Sequence, residues 1–303
     1  QVGSFPAYTR WAEWNGKYRD DMRSFLKGDY WFAEAAANRL IGSPDLYTGQ
    51  YKGYASSINF LTCHDGFSLW DLYSYNEKHN EDNGWNNTDG NDDNRSWNCG
   101  VEGETEDPEV LRLRFRMIKN ACAVLMCSRG TPMFLAGDEF GNSQKGNNNV
   151  YCQDNPIGWT DWRGLEKKKE LHDFVKELIA FRKSHPILTP ERELQGIDLS
   201  CCGVPDVSYH GEEAWQIPGE VSSRQLGVYY SGAQTKSEDC YVAYNMHWLE
   251  HVFALPALPK GYGWYVKATT ERGMLDVPVL LKDQRKLELK ERSVTVLTAE
   301  RIV

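Results

Sequence analysis

No run of apolar residues in the 303-residue chain approaches the roughly 20 that a helix needs to cross a bilayer. No cluster of Lys and Arg stands out either, and the net charge of -9 offers none of the basic footprint that nucleic acid or an anionic membrane surface requires. No nucleic-acid partner and no membrane partner are therefore expected, and a neutral ligand fits better. The eight cysteines show no CxxC spacing: Cys63, Cys99, Cys122, Cys127, Cys152 and Cys240 stand singly and Cys201-Cys202 is vicinal. That pattern reads as reduced thiols of a cytoplasmic protein rather than a zinc site or a disulfide framework. The start, Gln1-Val2-Gly3-Ser4-Phe5-Pro6, lacks the basic segment and apolar core of a secretory signal. It also lacks an initiator Met, so the sequence reads as beginning inside a longer or processed protein.

What is present is a globular composition, 41% hydrophobic and 25% charged, in a length that one core rarely fills. Two domains are expected. Tryptophan is in excess: 11 Trp and 16 Tyr supply many flat apolar faces. Such faces stack on the C–H faces of sugar rings, although large aromatics also fill cores and domain seams.

The first part of the chain alternates strand and helix. Ser57 to Cys63 is a β-rich run ending in His64-Asp65-Gly66. A polar stretch from about His79 to Gly103 follows, dense in Asn, Asp and Gly, a length that marks a functional or disordered loop. From Pro108 to Ser128, Leu111, Phe115, Ile118, Cys122 and Leu125 recur on one helical face. Pro132 to Ala136 reads as a buried strand closed by Gly137-Asp138-Glu139. After a second Asn-rich loop, Glu166 to Ser184 reads as an amphipathic helix stopped before Pro186. This is the style of a parallel β/α architecture. Beyond about Thr189, short runs such as Leu226 to Tyr230, Cys240 to Tyr244 and Ser293 to Leu297 are separated by Gly, Pro and charged turns, the style of an antiparallel β domain. Before Ser57, Arg19 to Leu26 can start a helix with Met22, Phe25 and Leu26 inward.

Two strand ends carry acidic residues: His64-Asp65 and Asp138-Glu139. Side chains at the carboxyl ends of parallel strands open into a loop-built pocket, and two such ends side by side suggest a shared one. The competing reading is that these acids only cap the segments that follow. Trp85 and Trp97 lie within the first Asn-rich loop, so stacking faces and amides that both donate and accept occur together, as sugar hydroxyls require. Asp89 to Asp93 lacks the spacing and terminal Glu of a calcium loop.

The series Ile58-Asn59-Phe60-Leu61-Thr62-Cys63-His64-Asp65-Gly66, Tyr75-Asn76-Glu77-Lys78-His79-Asn80, Ser96-Trp97-Asn98-Cys99-Gly100, Gly130-Thr131-Pro132 with Gly137-Asp138-Glu139, and Asn147-Asn148-Asn149 with Tyr151-Cys152-Gln153 resembles isoamylase-type glycogen and starch debranching enzymes of the α-amylase superfamily, in their C-terminal part. Trp11 to Asp20 is similar to that family's sixth barrel strand and following helix. The resemblance implies strands 6–8 of a (β/α)8 TIM barrel in residues 1–188, then an antiparallel β-sandwich in residues 189–303. It implies hydrolysis of α-1,6-glucosidic branch linkages with retention. Asp65 matches the carboxylate that stabilises the transition state, and His64 the neighbour that binds the cleaved sugar's hydroxyls. Trp97, Asp138, Asn147, Asn148 and Tyr151 are the further candidate substrate contacts. No cofactor and no metal are implied.

Retaining glycosidases need a nucleophile and an acid about 5 Å apart. In the family these lie in motifs similar to G-F-R-F-D and E-P-W, and neither occurs here. Glu13 sits in the wrong motif to be the acid and reads as structural or pocket-lining. The expected partners are thus a branched α-glucan and the N-terminal barrel half. The chain alone is expected to be inactive, since an open barrel exposes unpaired strand edges. Alternatives are a noncatalytic α-glucan-binding module, a purely structural fragment, or another reaction of the same superfamily.

Overall fold

A computed structural model describes residues 2–4, 11–47, 54–189, 192–217 and 223–302. The opening Gln1 and Phe5-Pro6, and the final Val303, lie outside the described residues.

The chain begins with a parallel β/α region. Strand β1 (Glu13–Trp14) leads into α1 (Gly16–Lys27) and α2 (Phe32–Leu40), then β2 (Ser57–Phe60), α3 (Leu69–Leu72), α4 (Pro108–Cys127), β3 (Thr131–Met133), α5 (Gly164–Lys167) and α6 (Lys169–Ser184). The strands form one sheet in the order β1-β2-β3, with Trp14 opposite Ile58 and Phe60 opposite Met133. Helix α1 starts where it does because the Asn15 side chain accepts from Tyr18 N at 2.8 Å. Helix α4 starts on the Asp107 side chain, which accepts from Glu109 N at 2.9 Å, with Pro108 at its first position.

Two elements differ from the sequence reading. Strand β3 stops at Met133 instead of running to Ala136, because Leu135 N turns to the Asp138 carboxylate at 3.2 Å and Asp138 N donates back to Leu135 O. The last helix is broken at Lys168, whose ammonium lies 3.5 Å from the centre of the Trp70 ring and donates to Gly141 O.

The remainder is antiparallel: β4 (Val207–His210), β5 (Gln225–Tyr230), β6 (Cys240–Asn245), β7 (His251–Ala254), β8 (Tyr262–Thr269), β9 (Gly273–Leu280), β10 (Lys286–Leu289) and β11 (Ser293–Arg301). Six strands form one sheet in the order β4-β5-β6-β11-β8-β9, and β7 pairs with β10 as a separate ribbon. The second layer is therefore only two strands wide.

Strand periodicity explains how both faces of the large sheet are covered. Tyr229, Tyr241, Ala243, Leu297 and Ala299 point into one core with Phe253, Leu287, Leu289 and Trp264. Their neighbours Leu226, Val228, Tyr230, Val242, Tyr244, Val294 and Val296 point the other way, into a core shared with Phe25, Met117, Ile118 and Phe174 of the helices. Polar ties cross the same seam: Asn120 Nδ2 donates to Arg292 O at 2.8 Å, and Arg292 Nη1 to Lys27 O at 2.6 Å. Among the described residues no helix is long and apolar enough to cross a membrane.

Candidate active site

Beyond Phe60, β2 runs into a turn that carries His64 and Asp65 at its crest. The two side chains are brought together, with His64 Nε2 3.3 Å from Asp65 Oδ2, and both stand open, 68% and 75% exposed. Trp14, at the end of neighbouring β1, packs its ring against His64 in a T-shaped pair with centroids 5.6 Å apart and is itself exposed. A carboxylate, an imidazole and an indole face thus share the carboxyl end of β1 and β2.

Buried charges hold this turn from below. Arg23, on α1, is nearly inaccessible; its Nε donates to Leu61 O at 2.8 Å and its Nη1 to Asn94 O at 3.0 Å. Burial lowers its guanidinium to about 10. Asp138, 1% exposed, accepts from Thr62 Oγ1 and, at 2.7 Å, from Leu69 N, so it clasps the turn at both ends. Burial pushes its carboxyl up to about 7, outweighing these bonds, which pull the other way.

The two Asn-rich loops form one interlocked layer beside the turn. Asn80 and Asn148 exchange hydrogen bonds, Nδ2 to Oδ1 at 2.8 Å and Asn148 N to Asn80 Oδ1 at 2.9 Å. Asn148 Nδ2 also donates to Asn91 O and Asn94 Oδ1. Asn83 accepts from Asn147 Nδ2 at 2.8 Å and from Gln153 Nε2 at 2.6 Å. Asp89 accepts from Asn83 and Asn149, which holds its carboxyl below the ordinary range. The layer is joined to the candidate site directly, since Gly66 N donates to Asn148 O at 2.9 Å. Its base is held by Asp71, buried and pushed up to about 6 by that burial, which accepts from Ser143 Oγ, Gln144 N and Gly146 N.

The structure sorts the sequence candidates. His64 and Asp65 are together and accessible, and Tyr151 is 68% exposed on the second loop. Asp138, Asn147 and Asn148, candidate sugar contacts by the resemblance, lie inside the frame of the site. They are 1%, 1% and 2% exposed, and their polar atoms are engaged by the bonds above and by Asn149 N on Asn147 Oδ1. Trp97 is half-buried at the seam, with the Arg292 guanidinium 4.8 Å from its ring centre. Glu13 accepts from Gly3 N, in keeping with a structural role. Nothing local in the sequence signals the burial of Arg23 and Asp71, because a charged residue in a helix ordinarily faces water. Trp14 lies within the Trp11 to Asp20 string that resembles the family, but the string carries no signal of its closeness to His64. Among the described residues no group of three or more His, Cys, Asp or Glu is gathered to hold a metal ion, and all eight cysteines are free thiols.

No family model matches the chain. It is 39% identical to the glycogen operon protein GlgX homolog of Mycobacterium tuberculosis, over 98% of this chain and 43% of that protein. It is 45% identical to the chloroplastic isoamylase 3 of Oryza sativa subsp. japonica, over 81% of this chain and 30% of that protein. Its fold is similar to that of a type I pullulanase of Bacillus subtilis solved in complex with maltose, with TM-score 0.66 at 16% identity, covering 95% of this chain and 35% of that one. The chain spans under half the length of these relatives. With 39% identity maintained across nearly all of its residues, the chain belongs to the isoamylase-type glycogen and starch debranching enzymes of the α-amylase superfamily.

Proposed function

We propose that the protein carrying this chain is a glycoside hydrolase that cleaves α-1,6-glucosidic branch linkages of glycogen, amylopectin or limit dextrins with retention. Residues 1–188 supply strands 6–8 of its (β/α)8 barrel and residues 189–303 a β-sandwich packed on it. The barrel half that precedes these strands is the partner that completes the site. Its setting is the cytoplasm.

One observation carries the reading. Asp65 is an accessible carboxylate at the carboxyl end of a parallel strand, beside an accessible His64, where barrel enzymes place their chemistry. In this role Asp65 steadies the positive charge that develops on the glucose ring as the glycosidic bond breaks. His64 holds hydroxyls of the same ring, and Tyr151 contacts the chain nearby. Asp138, Asn147 and Asn148 position these groups instead of touching sugar. Nucleophile and general acid come from segments other than this one, because the motifs that carry them in the family are absent here. This chain alone therefore shows no turnover.

In the intact enzyme, Asp65→Asn keeps the shape and removes the charge, and kcat on a branched glucan falls by about 100-fold or more with unfolding temperature unchanged. Undiminished turnover in that variant would remove Asp65 from the reaction. A second reading, favoured by the exposed Trp85 and Tyr151, is a noncatalytic α-glucan-binding module. It would be supported by tight binding with no hydrolysis in the intact protein.

A further inference from the structure

Exposed aromatic side chains scattered singly are ordinary on a protein surface, so what marks a pair out is that its members are fixed against each other. Trp85 and Tyr151 are 60% and 68% exposed, lie on different loops, and are joined by a hydrogen bond from Trp85 Nε1 to the Tyr151 hydroxyl at 3.0 Å. Neither loop could fix this pair by itself. The amide layer beneath does so: Asn83, two residues before Trp85, receives Asn147 Nδ2 and Gln153 Nε2, which flank Tyr151 on its own loop. Gly90 permits the close approach of the loops. It sits at φ +75°, and a Cβ there would lie 2.3 Å from Asn148 Oδ1 and 2.7 Å from Asn80 Nδ2.

The pair is also connected to the reacting end. Gly66, next to Asp65, donates to Asn148 O, and three residues of backbone from Asn148 to Tyr151 reach at most about 11 Å. The two rings therefore stand within a short oligosaccharide's length of Asp65. Their surroundings specify the kind of ligand. Glu81, Asp82, Asp89, Asp92 and Asp93 on the first loop outnumber the cations of the two loops, Arg95, Lys145 and Lys78, the last of which is paired with Asp92, and this disfavours phosphate or any other anion. A neutral, hydroxyl-rich chain with apolar ring faces fits both the aromatic faces and the acidic rim.

We propose that Trp85 and Tyr151 act as one preorganised two-ring platform that binds the α-glucan chain beyond the sugar being cleaved, and so sets preference for chain length. This rests on the function proposed above but concerns a separate step, binding at a distance from the reacting bond. Because the rings are fixed by the layer below, little ordering accompanies binding, which favours affinity.

The test uses the intact enzyme with Trp85→Ala, Tyr151→Ala and the milder Trp85→Phe and Tyr151→Phe. The alanine variants are expected to raise KM about tenfold for a branched glucan with long side chains, with a much smaller rise for a substrate with the shortest cleavable branch. The phenylalanine variants keep a ring and recover most of the affinity, which a purely structural role of the hydrogen bond would not allow. A direct reading comes from calorimetric titration of a linear α-1,4-glucohexaose into the Asp65→Asn enzyme, where adding Trp85→Ala weakens binding about tenfold. Unchanged KM and unchanged hexaose affinity in correctly folded alanine variants would overturn the platform, while loss of turnover in Asp65→Asn would still uphold the catalytic reading. KM rising equally for long and short branches would also overturn it, since preference for length would then lie elsewhere.

Discussion

At the scale of single residues, burial separates acids that can meet substrate from acids that hold the frame. Asp65 and Asp138 both follow parallel strands, yet one is open and the other is clasped by Thr62, Leu69 and Leu135. Asp138 has consequences for stability. Its carboxyl is raised to about 7 in the folded chain by burial, against an unfolded value of about 4. The folded state then binds the proton more tightly, so the stability linked to this group is fully present below about pH 4 and is lost as pH rises towards 7. Asp138→Asn cannot titrate. Thermal unfolding from pH 4 to 8 should therefore show wild type losing up to about 1.4 kcal/mol per pH unit relative to the variant. Parallel profiles for the two proteins would mean that Asp138 is ionised throughout.

At the scale of elements, the two Asn-rich loops behave as one unit because the side-chain amides of Asn80, Asn83, Asn147, Asn148, Asn149 and Gln153 each donate to an acceptor on the other loop. Such a network is rigid only when complete. Gly90→Ala puts a Cβ into the Asn80–Asn148 pair at a left-handed position, and is expected to destabilise the chain by about 1–3 kcal/mol. Hydrogen exchange should speed up in residues 79–95 and 142–155 together. Faster exchange in the first loop alone would show that the loops are not coupled. The composition of these loops is plain in the sequence, but their pairing is not, because polar Asn-rich segments read equally well as solvated and mobile.

At the scale of the whole molecule, a change in sequence style near Thr189 does not coincide with a change of core. The helix-facing side of the large sheet, with Val228, Val242, Tyr244 and Val296, is covered by Phe25, Met117 and Phe174 from the preceding region. Residues 189–303 produced alone should expose that face, bind a hydrophobic dye and unfold without a sharp transition. A cooperative, dye-free unfolding of that piece would show that the β layers are self-sufficient.

The sequence by itself determined the order of parallel and antiparallel regions, most helix and strand positions, and the His64-Asp65 turn with its family likeness. These are encoded locally, in hydrophobic periodicity, capping residues and short strings. Tertiary structure alone decided that Asp138, Asn147, Asn148 and Trp97 are engaged by other parts of the chain while Trp85 and Tyr151 stand free as a pair. It also decided that Arg23 and Asp71 are buried beneath the site. Burial and partnership are properties of segments that meet across 66 to 76 positions of chain at the site and 195 at the Trp97–Arg292 contact, and no local pattern records which side chain will find its partner there.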